Sequence, residues 1–125
     1  MPKKIVIAED EELIAQAYKD GLSLFDYEVY LARDGAEALE MIEQTQPDLV
    51  LLDLIMPTMN GFETLETLRN NTKYKNLPIL VATNLTQASD EKRARQLGAD
   101  DYFIKAEHSI KELADRIQNF LDSRQ

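Results

Sequence analysis

Pro47-Asp48-Leu49-Val50-Leu51-Leu52-Asp53-Leu54-Ile55-Met56-Pro57 is the stretch that decides the fold. Its aliphatic run shows no alternation of apolar and polar residues. A strand with that pattern is buried on both faces, as in a parallel sheet covered by helices. Asp48 to Leu52 is therefore read as a central strand. Asp53 closes it, and the residues that follow force its carboxylate to emerge at the rim.

Outward from this stretch, Ile5-Val6-Ile7 and Ile79-Leu80-Val81 have the same apolar character. Five strands are expected: Lys4 to Ala8, Glu28 to Ala32, Asp48 to Leu52, Ile79 to Ala82 and Tyr102 to Ile104. Helical patterns lie between them. Ile14, Ala17, Tyr18 and Leu22 share one face of the first helix, with Gly21 as an unfavourable residue inside it. Asp34 and Glu37 form a capping signal before Ala38, Leu39 and Ile42. Asn60 is placed to cap a helix carrying Phe62, Leu65 and Leu68. Gly98 ends a fourth helix in the left-handed position that needs no Cβ. Ser109 and Glu112 form a capping box before Ile110, Leu113, Ala114, Ile117 and Leu121.

A strand–helix unit repeated five times, with right-handed crossovers, gives a doubly wound α/β sheet with five helices on both faces. The expected strand order is 2-1-3-4-5, the flavodoxin-like arrangement. Ligands of such sheets bind at the carboxyl ends of the strands, here between the first and third.

The composition fits one domain over residues 1–125. A hydrophobic content of 44% supports a core, which excludes a disordered tail. There is no cysteine, so disulfides, thiolate metal sites and cysteine nucleophiles are excluded. No apolar run approaches the ~20 residues that span a bilayer, and the start does not read as a signal peptide. The expected location is cytoplasmic, with no membrane insertion. A net charge of -9 argues against direct nucleic-acid binding. It is compatible with plain solubility or with a carboxylate cluster that needs a cation.

The strand ends carry the chemistry. The first strand ends in Glu9-Asp10, the third in Asp53, the fourth in Thr83-Asn84 and the fifth in Lys105. Three converging carboxylates repel one another unless they bind protons or a cation. Hard oxygen donors with room for water suit Mg2+. A carboxylate beside a bound metal can attack phosphorus and form an aspartyl phosphate. An ammonium and a hydroxyl close by would stabilise the transferring group. Singly, each residue has an ordinary reading: acids before a helix complement its dipole, Thr83 suits a strand, and Lys105 suits solvent. Their weight comes from falling together. His108, the only histidine, is expected in a solvated loop, and zinc is not supported. There is no Gly-x-x-x-x-Gly-Lys stretch and no Gly-x-Gly-x-x-Gly turn, so neither nucleotide motif is present. Glu9-Asp10-Glu11-Glu12 is the electrostatic opposite of a flavin phosphate loop.

With these residues in order, the chain resembles the receiver domain of bacterial two-component response regulators over essentially its whole length. The resemblance rests on Ile5-Val6-Ile7-Ala8-Glu9-Asp10-Glu11, on Asp34-Gly35-x-Glu37-Ala38-Leu39 and on Pro47 through Gly61. It continues in Pro78-Ile79-x-Val81-x-Thr83 and Gly98-Ala99-Asp100-Asp101-Tyr102-x-x-Lys105. It implies that Asp53 is the phosphoacceptor. Asp10, Asp53 and the backbone carbonyl of Ile55 would bind Mg2+, with Glu9 acting directly or through water. Lys105 would contact the phosphoryl oxygens, Thr83 would move to bond them, and Tyr102 would turn inward. The donor would be a sensor histidine kinase or a histidine phosphotransfer protein. Docking is expected near Ile14, and output through strand 5 and its flanking helices, including Ala94, Tyr102 and Lys105.

This is a signalling switch rather than a conventional enzyme, although it would promote its own phosphorylation and slow dephosphorylation. A stand-alone receiver is expected, acting on a downstream protein, either as a monomer or as a weak dimer through the strand 5 face. The alternative is a phosphorylation-independent pseudo-receiver, an interaction module. An Asp-nucleophile hydrolase would need a general acid and a cap that the sequence does not supply.

Three positions depart from the resemblance: Glu9 where Asp is commoner, Asn84 where a small residue is usual, and Ala106 where proline is expected. The expected Lys-Pro bond is typically cis, and cis before alanine costs ~3 kcal/mol more than trans. The loop is then either strained or aims Lys105 differently.

Overall fold

Alternation within the strands sorts their side chains onto two faces. Val6, Ala8, Val50, Leu52, Ile79, Val81 and Tyr102 enter one apolar cluster. Ile5, Ile7, Leu49, Leu51, Leu80, Ala82 and Phe103 enter the other. Both clusters are buried, so the period of two persists even where every residue is apolar.

The computed structural model describes residues 2–123. In chain order it contains β1 (Lys3–Ala8), α1 (Glu12–Ser23), β2 (Tyr27–Ala32), α2 (Gly35–Thr45), β3 (Leu49–Leu52) and α3 (Gly61–Asn70). Then come β4 (Ile79–Thr83), α4 (Ala88–Gln96), β5 (Asp101–Ile104) and α5 (Ile110–Ser123), with short 3-10 turns at Thr72–Tyr74 and Lys105–Glu107. The five strands form one parallel sheet in the order β2-β1-β3-β4-β5. The first cluster is covered by α2, α3 and α4 through residues such as Ile42, Leu65 and Ala94. The second is covered by α1 and α5 through Tyr18, Leu22, Leu113 and Ile117. Fold class and strand order are as the sequence indicates. The strand limits differ from expectation by one residue each. Asp48, for instance, precedes β3, where its carboxylate accepts from the Lys4 N–H at 2.8 Å.

The helix signals map onto real caps. Asp34 accepts from the Glu37 N–H at 2.8 Å. Asn60 with Glu63, and Ser109 with Glu112, form reciprocal capping boxes. Gly98 has φ +110°. The Ala99 N–H reaches the Ala94 carbonyl and the Gly98 N–H reaches that of Arg95, so α4 ends in a Schellman motif.

Two expectations for α1 change. Its buried residues are Ala15, Tyr18 and Leu22, whereas Ala17 is exposed and Ile14 half-buried. At its N-terminal end the apolar stripe is therefore shifted by one residue, about 100°, as α1 packs over β2, β1 and α5. Gly21 does not weaken the helix without return. A Cβ there would run into the side chain of Ile110, so its absence lets α5 approach. No helix among the described residues is long and apolar enough to cross a membrane.

Candidate functional site

Strand register sets the site. Ala32, Ala8, Leu52, Val81 and Tyr102 lie in one row across the sheet. One step further, the Glu9 N–H bonds the Ala32 carbonyl at 2.9 Å and the Asp53 N–H bonds the Ala8 carbonyl at 3.0 Å. Residues 9 and 53 therefore stand side by side as the strands end. Glu9, Asp10 and Asp53 each offer a carboxylate oxygen, and these oxygens lie within 4.8 Å of one another. Glu9 and Asp53 are buried and Asp10 is exposed. Gly61 keeps the floor of this corner compact. A Cβ at that position would strike the backbone carbonyl of Asp53, which no rotamer change could relieve.

Lys105 closes the site from the far side of β4. Its side chain is 7% exposed and its Nζ pairs with Glu9 Oε1 and, at 3.0 Å, with Asp53 Oδ2. No cis peptide bond occurs among the described residues, so Lys105 precedes Ala106 through a trans bond. Of the two alternatives left by the missing proline, neither arises. The turn at Lys105–Glu107 is regular 3-10, and the lysine still reaches Asp53.

Three carboxylates and one ammonium leave two negative charges in the pocket. The cost falls on Glu9. Burial pushes its carboxyl up to about 7; the bond from Lys105 opposes this, and the charge of Asp53 adds to it. Burial pulls the Lys105 ammonium down, but the bonds from Glu9 and Asp53 more than compensate and leave it raised. The donor set is all hard oxygen, carries two uncompensated charges and includes one solvent-facing member. That set fits a small divalent cation such as Mg2+. Ile55 follows on the same loop, 56% exposed, with its N–H on Asp53 Oδ1 at 3.3 Å.

Thr83 is fully buried at the end of β4, and its Oγ1 accepts a long 3.5 Å bond from the Leu85 N–H. Tyr102 is expected to turn inward, and the structure has it inside already. It is 7% exposed, and its hydroxyl donates to the Leu85 carbonyl at 2.9 Å. Burial, with Asp90, Glu91 and Asp53 nearby, pushes that phenol up to about 12. His108 lies in the loop before α5, as expected, but is half-buried rather than fully solvated. Its Nδ1 is 2.8 Å from Glu112 Oε2 and its ring lies 4.9 Å from that of Phe103. Asn84, noted at the end of the fourth strand, has a partner that the sequence did not indicate: its Oδ1 accepts the Ala106 N–H at 2.9 Å. The signal for it was that both positions depart from the resemblance together.

Known proteins carry the same frame. Residues 5–118 match the response regulator receiver domain. The ycf27 protein of Porphyridium aerugineum is 40% identical over 119 residues, which are 95% of this chain and 48% of that protein. The chain thus spans about half the length of that relative. The polar-differentiation response regulator DivK of Brucella anthropi is 31% identical and matches over 97% of this chain and 98% of its own. Among solved structures, Vibrio cholerae chemotaxis protein CheY4 superposes with a TM-score of 0.89 at 29% identity, covering 95% of this chain and 98% of that one. The chain belongs to the response regulator receiver domain family of two-component signalling.

Proposed function

We propose that this chain accepts a phosphoryl group on Asp53 and thereby changes its protein-binding surface. Receiver domains typically bind Mg2+, take part in phosphorylation-dependent signalling and interact with histidine kinases and phosphotransfer proteins. What carries the finer reading here is one observation: Lys105 Nζ bridges Glu9 and Asp53 inside a cluster of three carboxylates.

In this reading, an Asp53 oxygen attacks phosphorus, the bond from phosphorus to the donor imidazole nitrogen breaks, and histidine leaves. Glu9, Asp10, Asp53 and the Ile55 carbonyl would hold Mg2+, which when bound supplies positive charge to the transferring oxygens. Lys105 releases Asp53 and follows the new phosphoryl oxygens. Its ammonium is held close by burial and by Glu9, so little reorganisation is needed. The Thr83 hydroxyl donates to the same group. The loop that carries Thr83 also holds Tyr102 through Leu85. Movement there therefore reaches β5 and α4, the surface through which a downstream protein would be bound. Self-association through that face would be weak.

A phosphorylation-independent module drew its support from Ala106, through a displaced lysine. The 3.0 Å contact between Lys105 and Asp53 speaks against it. The test is incubation with Mg2+ and acetyl phosphate, read by intact mass. Wild type gains one phosphoryl group and Asp53→Asn gains none. An equal gain in both overturns the assignment.

A further inference from the structure

Lys105 is a long side chain that must deliver its ammonium to one spot, and something must fix the backbone from which it starts. Lys105–Glu107 is a single 3-10 turn. The first N–H groups of such a turn have no partner within it. Ile104, which precedes the turn, supplies no side-chain cap. The Ala106 N–H is instead taken by Asn84 Oδ1 at 2.9 Å, from the neighbouring strand's loop. Parallel register makes this possible. Thr83 is paired with Ile104, so the residues after them leave the sheet together.

We infer that Asn84 is a positioning residue for Lys105: it caps the 105–107 turn from outside and so fixes the peptide plane immediately after the lysine. The inference rests on the phosphorylation reading above and deepens it. The bond has one requirement, and two further features of the chain agree with it. Ala106 must be a residue with an N–H, which proline lacks. The residue before a proline is also biased away from helical geometry, so a proline at 106 would disfavour this 3-10 turn. Finally, Asn84 directly follows Thr83, so the bond joins the hydroxyl-bearing loop to the ammonium-bearing turn. The two departures from the receiver pattern at 84 and 106 are in this view one device. Asn84 and Ala106 are both exposed, so replacing Asn84 leaves no hole in the core.

The experiment measures the rate of Asp53 phosphorylation by acetyl phosphate with saturating Mg2+. It uses wild type, Asn84→Ala, Asn84→Asp, Lys105→Ala and the Asn84→Ala/Lys105→Ala pair. Loss of one hydrogen bond of this kind corresponds to a slowing of about two- to tenfold for Asn84→Ala. Asn84→Asp keeps an acceptor and recovers most of the rate. In the Lys105→Ala background, Asn84→Ala has no further effect, because the group it positions is gone. Two results overturn the inference: an unchanged rate in Asn84→Ala, or the same slowing with and without Lys105. Failure of wild type to be phosphorylated at all would instead remove the function proposed above, which separates the two.

Discussion

Ile55 and Leu85 sit two residues past Asp53 and Thr83, where the N–H of each meets the side chain of that earlier residue. Ile55 is largely exposed, and the Leu85 carbonyl is occupied by Tyr102. Neither side chain can accept a proton from water or orient one toward phosphorus. An aspartyl phosphate on Asp53 should therefore last minutes to hours with Mg2+ present, followed by loss of the mass increment. A lifetime of seconds would rule this out. Ile55→Asn, which introduces a group able to hold water, should shorten it.

Between elements, the contrast is α4 against α5. Burying a Leu or Ile side chain is worth roughly 1.5–3 kcal/mol. In α5, Leu113, Ile117 and Leu121 are all buried, with Ala114 beside them. In α4 only Ala94 is buried, and its nine residues are too few to be helical by themselves. Ala88 is exposed, and Leu97 is only half-buried. What restrains α4 is mainly its C-terminal end: the Schellman motif, Arg93 over the Phe62 ring at 4.0 Å, and Arg95 toward Asp101 at 3.5 Å. Amide exchange should accordingly be faster in 88–96 than in 110–123. Equal protection would mean that α4 is not the looser element. A loosely held helix beside Thr83 and Tyr102 is the part that a new charge on Asp53 can most easily shift.

For the whole molecule, the buried Glu9 carboxyl ties stability to pH. That carboxyl is raised to about 7 in the folded chain from an ordinary value of 4.5. Below about pH 4.5 both folded and unfolded chains hold this proton, and the contribution to stability is fully present. As pH rises toward 7 the folded chain must give the proton up, and that contribution, on the order of a few kcal/mol, is lost. Metal-free protein should thus melt at a higher temperature at pH 5.5 than at pH 8. Glu9→Gln should flatten that difference. At the proposed site Mg2+ would compete with the proton, so its stabilising effect should grow from pH 6 to pH 8. A thermal unfolding series in chelator and in Mg2+ checks both. Melting that is independent of pH in chelator would show that Glu9 is not titrating in this range.

The strands, their parallel arrangement, the helix caps and the residues at the strand ends were legible along the chain. Those features are local: apolar runs, capping pairs and a glycine with positive φ are dictated by neighbours a few residues away. Packing between elements settled where Lys105 points, that Tyr102 is already inside, and that the His108 ring lies against Phe103. It also decided which α1 residues are buried and that Asn84 meets Ala106. Each of these joins positions from different elements. Register and the approach of packed helices fix such contacts, and no pattern along one segment encodes them.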